Sequence, residues 1–188
     1  MGHLTGLPNL LTLLRILLIP IFILIFYLPF SWAHEVAAVI FALASFTDWL
    51  DGFLARKLGQ ISPFGEFFDP VADKLLVASC LLLLVGASHI QYITLPAIVI
   101  VGREIVISAL REWMAETGKR ASVTVSYIGK VKTAVQMIAL FLLVAYRPQE
   151  SMLGVLGFIA LYAAAILTIW SMIIYLTIAW PELNKKVH

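Results

Sequence analysis

The chain has 188 residues, of which 62% are hydrophobic and only 13% charged, with a formal net charge of +2. A soluble domain carries about 45–50% apolar and about 25% charged residues, so a water-facing globule is excluded and lipid is the expected solvent. The single cysteine, Cys80, excludes an internal disulfide.

A membrane-crossing helix needs about 20 mostly apolar residues. Six stretches approach that length: Leu10–Leu28, Glu35–Ala55, Glu66–Ala87, Thr94–Trp113, Ser126–Tyr146 and Met152–Ala179. They predict an all-α integral membrane protein with six transmembrane helices, residues 1–188 forming one membrane-embedded domain. No small-residue cleavage site follows the first stretch, which therefore reads as a retained span. The last stretch is longer than the hydrocarbon layer and is expected to tilt or project from it. Six spans put the loops before Glu35, around His89 and near Pro148 on one side, and of thirteen Lys and Arg residues only Arg147 falls there. Positive loops stay cytoplasmic, so both termini are expected on the cytoplasmic face.

In the first span Asn9, Thr12 and Arg15 follow one another at intervals of three and share a helix stripe. Asn9 and Thr12 also suit capping or backbone bonding, and Arg15 also suits snorkelling to the surface. The second span carries Asp48 and Asp51, three apart, and the third carries Asp69 and Asp73, four apart. Either spacing puts both carboxylates on one helix face. Asp51 stands six residues before Lys57 and Asp69 five after Phe64, while Asp48 and Asp73 stand nine from the same points. On antiparallel helices the acids then pair by level, roughly 8–14 Å from the hairpin.

Four ionised carboxylates at one place in a low dielectric require protonation or bound cations. Oxygen ligands without His or Cys suit Mg²⁺, Mn²⁺ or Ca²⁺ rather than zinc. Two such ions about 3.5–4 Å apart would clamp a pyrophosphate. Gly52 and Ala55 lie on or near the face of Asp48 and Asp51, and Gly65 precedes Asp69 by four. Small residues there let a ligand or a neighbouring helix approach the backbone.

The fourth span holds Arg103 within an apolar run, so its side chain is expected to face a polar interior. Arg111, Lys130 and Lys132 lie with it toward the cytoplasmic ends of the fourth and fifth spans. Each also suits a role as a positive-inside anchor. Trp32, Tyr92 and Trp180 near span ends read as interfacial anchors, and His34 and His89 as solvated loop residues. Gly154 and Gly157 mark a possible helix contact.

The stretch Asp48–Asp73 resembles, without a departure, the signature D-x2-D-G-x2-A-R-x8-G-x3-D-x3-D of the CDP-alcohol phosphatidyltransferases, eight specified residues over 26 positions. Pro8-Asn9-Leu10-Leu11-Thr12-Leu13-Leu14-Arg15 is similar to that family's N-terminal pattern. The resemblance implies a six-helix membrane fold, usually homodimeric, with a site for Mg²⁺ or Mn²⁺, two ions. It implies metal ligation by Asp48, Asp51, Asp69 and Asp73, with Asp73 also the general base, and a CDP site lined by Gly52, Ala55, Arg56 and Gly65. Asn9, Thr12 and Arg15 are read as approaching the nucleotide end of the donor.

Gly102–Thr133 resembles the bacterial members whose acceptor is sn-glycerol 3-phosphate. The expected reaction is then transfer of phosphatidyl from CDP-diacylglycerol, with CMP released, at the bacterial inner membrane. Arg103, Arg111, Lys130 and Lys132 are the candidate partners of the acceptor's phosphate, since a dianion needs cationic contacts. No nucleic-acid partner is expected. Other acceptors, namely serine, inositol phosphate or phosphatidylglycerol, remain open. A divalent-cation or proton transporter is the alternative of another class, but it would spread its acids through the bilayer rather than gather them at one interface.

Overall fold

A computed structural model describes residues 6–58, 62–87, 92–116 and 127–183. Six helices follow in order: α1 Leu7–Phe26, α2 Ala33–Leu58, α3 Pro63–Gly86, α4 Thr94–Glu116, α5 Tyr127–Ala145 and α6 Met152–Leu183. Among the described residues every regular element is helical. Each predicted span corresponds to one helix. Ser62 caps α3, which begins at Pro63, three residues earlier than hydropathy alone predicts. Its backbone is extended, its hydroxyl accepts from Gly65 N–H at 3.0 Å, and Pro63 takes the first helical turn.

Among the described residues, three helices contain segments long and apolar enough to cross a membrane: Asn9–Phe26, Ala33–Leu54 and Met152–Pro181. α5 carries a shorter apolar run, Val131–Ala145. α3 and α4 have 24 and 23 residues, about 34–36 Å at 1.5 Å per residue, but charged side chains interrupt their apolar runs. The 32 residues of α6 extend about 48 Å, beyond a hydrocarbon layer of about 30 Å.

The surface is far more apolar than that of a soluble protein, and a set of polar side chains lies buried inside. Leu10, Leu17 and Leu24 on α1, and Ile159, Ile166 and Ile173 on α6, are exposed at heptad intervals. Asn9, Thr12, Arg15, Asp51, Arg103, Lys132 and Gln136 are buried instead. Polar groups facing inward and large aliphatic groups facing outward are what a bilayer requires. The chain is accordingly a multi-pass membrane protein.

Inside, α1 packs on α2 and α3, α2 on α5, α4 on α6, and α5 on α6. Fully buried Phe22 and Phe41 meet at a centroid distance of 5.9 Å, joining α1 to α2. Ala37, Ala38 and Ala44 of α2 and Ala139 of α5 are buried and let the helices approach closely. A Cβ at Gly154 would stand 2.5 Å from the Arg147 backbone, and one at Gly157 2.8 Å from Leu142 Cβ. Both glycines therefore serve the turn and contact between α5 and α6 within one chain.

Candidate active site

The odd-numbered helices contribute polar residues from their N-terminal halves, and the even-numbered ones from their middle and C-terminal halves. In a bundle whose successive helices alternate direction, this rule brings them all to one end. Two connected groups form there.

The first group is organised by α1, which touches both acid-bearing helices. Arg15 is fully buried and forms ion pairs with Asp48 at 2.6 Å and Asp51 at 2.5 Å. Thr12 Oγ1 donates to Asp69 Oδ1 at 2.7 Å. One turn earlier, Ser62 Oγ donates to Asn9 Oδ1 at 2.5 Å. Gly65 is buried beneath these groups: a methyl there would lie 3.4 Å from each of Asn9 Oδ1, Asp69 Oδ2 and Ser62 Oγ. Gly52 is half-buried on α2 beside Asp51. The side chains of Ala55, Arg56 and Lys130 lie outside the described residues, as does the loop with Lys119 and Arg120.

Level-matching along α2 and α3 predicts a direct meeting of the four acids. The structure brings them to the same end but sets Thr12 and Arg15 of α1 against them, and the guanidinium is the counter-charge of Asp48 and Asp51. Among the described residues, no three His, Cys, Asp or Glu side chains gather closely enough to hold one ion. The chemistry of the donors nevertheless fits a hard divalent cation. All four are carboxylates, and the buried Asp73 Oδ1 has no hydrogen-bond partner among the described residues.

The second group surrounds a cavity of about 220 Å³ lined by Asp73, Arg103, Arg111, Lys132, Gln136 and Tyr175, among others. Glu104 Oε1 accepts from Arg103 Nη1 at 3.0 Å and from Lys132 Nζ at 2.9 Å. Arg103 Nη2 reaches Ser171 Oγ at 3.4 Å, and Arg111 Nη2 donates to Tyr175 Oη at 3.2 Å. The Tyr175 ring lies 5.7 Å from the Arg103 guanidinium and 5.4 Å from that of Arg111. Cation–π contact of this kind draws both guanidinium groups to the ring. Four cationic side chains, counting Lys74, face two acidic ones around this cavity. The surplus favours an anionic ligand.

Asp73 lines this cavity and lies on the same helix as Asp69, so it links the two groups. Glu104, Gln136, Ser171 and Tyr175 belong to none of the motifs that mark the other site residues in the sequence. A signal existed for most of them. Gly129, Lys132 and Gln136 form a polar stripe on α5, and Thr168, Ser171 and Tyr175 another on α6, each at intervals of three or four.

Residues 5–170 match the family described as CDP-alcohol phosphatidyltransferase. A CDP-diacylglycerol–glycerol-3-phosphate 3-phosphatidyltransferase of Pectobacterium atrosepticum is 57% identical over 178 residues, covering 95% of this chain and 97% of that protein. A protein of the same description from Yersinia enterocolitica is 55% identical over the same coverage. One from Pseudomonas fluorescens is 55% identical over 180 residues, covering 95% of this chain and 92% of its own. Similarity at this level over 95% of the chain, with the family match running from α1 into α6, makes the chain a transferase that belongs to the CDP-alcohol phosphatidyltransferase family.

Proposed function

We infer that the chain transfers the phosphatidyl group of CDP-diacylglycerol to sn-glycerol 3-phosphate, giving phosphatidylglycerol phosphate and CMP. The observation that carries the acceptor assignment is the cavity joining Asp73 to Arg103, Arg111 and Lys132. A carboxylate faces three cations across a space of metabolite size, as attack by a hydroxyl on the far end of a phosphorylated alcohol requires.

In this reading the acceptor's phosphate rests on Arg103, Arg111 and Lys132, with Lys130 alongside, and the 1-hydroxyl points at Asp73. Asp73 accepts the proton as the hydroxyl oxygen attacks the lipid-side phosphorus. The new oxygen–phosphorus bond replaces the bond to the bridging oxygen, which leaves with CMP. Asn9, Thr12, Arg15, Gly52, Ala55, Arg56 and Gly65 line the nucleotide side, Arg56 offsetting charge on the departing CMP. Asp48, Asp51, Asp69 and Asp73 would hold two Mg²⁺ or Mn²⁺ ions. When bound, such ions stabilise negative charge on the pyrophosphate and on the entering and leaving oxygens.

Arg147 stands at the opposite end of the bundle from the polar groups. The positive-inside rule then supports an orientation with the active site and both termini toward the cytoplasm of a bacterial inner membrane. A homodimer is part of the same proposal. The net positive cavity favours a phosphorylated acceptor over serine. Purified protein given CDP-diacylglycerol, glycerol 3-phosphate and Mg²⁺ or Mn²⁺ is expected to release CMP. Release that does not depend on the acceptor would overturn the assignment, and a panel with inositol phosphate, serine and phosphatidylglycerol separates the other acceptors.

A further inference from the structure

Three polar atoms around the cavity beside Asp73 are buried without a hydrogen-bond partner among the described residues: Asp73 Oδ1, Gln136 Oε1 and Arg103 Nε. A buried orphan acceptor or donor is costly, and all three belong to side chains that line this one cavity, where a ligand reached by small side-chain rotations would satisfy them. Two of these atoms accept hydrogen bonds and one donates. Their complement is a small molecule with two hydroxyl groups and an anionic group. Asp73 and the cations account for one hydroxyl and the phosphate under the function proposed above, on which this inference rests. Gln136 is left over. It is 3% exposed, lies one turn beyond Lys132 on α5, and lines the same cavity.

We propose that Gln136 is a specificity-determining residue whose Oε1 accepts the hydrogen bond of the acceptor's 2-hydroxyl, so that the site selects a vicinal diol phosphate over a simple hydroxyalkyl phosphate. Lys132 sets the position of the phosphate and Asp73 that of the reacting hydroxyl. The glutamine, on the same helix face as Lys132, reads the carbon between them. Its amide is neutral and so adds this contact without cancelling the charge that attracts the phosphate.

The test compares sn-glycerol 3-phosphate with 3-hydroxypropyl phosphate, which has the same reacting hydroxyl and phosphate but no 2-hydroxyl. Wild-type protein is expected to use the deoxy acceptor with a kcat/KM roughly 10- to 100-fold lower, the effect of leaving a buried acceptor unpaired. Gln136→Leu and Gln136→Met should bring glycerol 3-phosphate down toward the deoxy acceptor while the deoxy value itself changes little. Gln136→Glu retains an acceptor oxygen, so it should preserve the preference between the two acceptors even though its charge weakens both. Equal use of the two acceptors by wild type would overturn the proposal without any variant. Retention of the full preference by the Leu and Met variants would overturn it equally. Failure of wild type to release CMP with glycerol 3-phosphate would instead overturn the proposed function.

Discussion

The two ends of the bundle each hold a cavity, and the larger one lies away from the proposed site. The cavity opposite the site has a volume of about 640 Å³ and is lined by Phe26, His34, Glu35, Leu84, Arg147 and Glu150, among others. Its ion pair, Arg147–Glu150 at 3.2 Å, has side chains 44% and 66% exposed. His34 packs edge-on against Phe26 at 5.0 Å. At the site end the cavity is about 220 Å³, but Arg103 and Lys132 around it and Asp51 beside it are buried, with Arg15 fully buried between two aspartates. Taking a charge out of water is expensive even when it is paired. Buried charge, rather than volume, is therefore the ground for placing the proposed site at this end.

The sharpest way to break that contrast is to neutralise one acid at each end. Asp73→Asn removes the proposed base while keeping its shape, and acceptor-dependent CMP release is expected to fall roughly 10²- to 10⁴-fold with donor binding retained. Glu35→Gln changes an exposed acid at the opposite end and should leave turnover within about twofold of wild type. Near-normal turnover by Asp73→Asn would remove that residue from the base role. A smaller effect is expected at Arg103. Its replacement by Ala should raise the apparent KM for glycerol 3-phosphate roughly 10- to 100-fold, the scale of a lost charged hydrogen bond, and that for CDP-diacylglycerol much less. A larger change for the donor would reassign Arg103 to the nucleotide side.

The sequence was most legible where lipid makes a residue conspicuous. Six apolar runs gave six helices, and four aspartates inside such runs stood out because a bilayer disfavours them. Spacing along one helix reveals a shared face, and this was enough to pair Asp48 with Asp51 and Asp69 with Asp73. It does not reveal what that face meets. The Arg15–Asp51 bond joins residues 36 apart in sequence, and the Arg111–Tyr175 bond joins residues 64 apart. Both depend on which helices pack together, a property of side-chain volumes throughout the bundle rather than of any motif. Tyr175 was further obscured because tyrosines near span ends commonly serve as interfacial anchors. Gln136 carries no charge and attracts notice only once its partner atoms are in view. Gly154 and Gly157 had the right meaning as contact positions, but spacing alone left their partner undetermined.

That partner gives the two remaining tests, both at the end away from the site. Gly154→Ala would drive a methyl to 2.5 Å from the carbonyl carbon and oxygen of Arg147. Backbone cannot rotate aside as a side chain can, so the α5–α6 turn must shift. The expected destabilisation is about 1–3 kcal/mol, the usual range for overpacking, visible as a lower unfolding temperature in detergent. Catalysis by the folded fraction should persist, since Asp73 and Arg103 lie at the other end of the bundle. Glu150→Gln removes only the exposed partner of Arg147, and exposed pairs contribute about 0–1 kcal/mol. The same unfolding measurement should place this variant close to wild type. A loss as large as that of Gly154→Ala would mean that the turn is held by charge rather than by close backbone packing, and the contrast between exposed and buried ion pairs would fail at the end where it predicts the least.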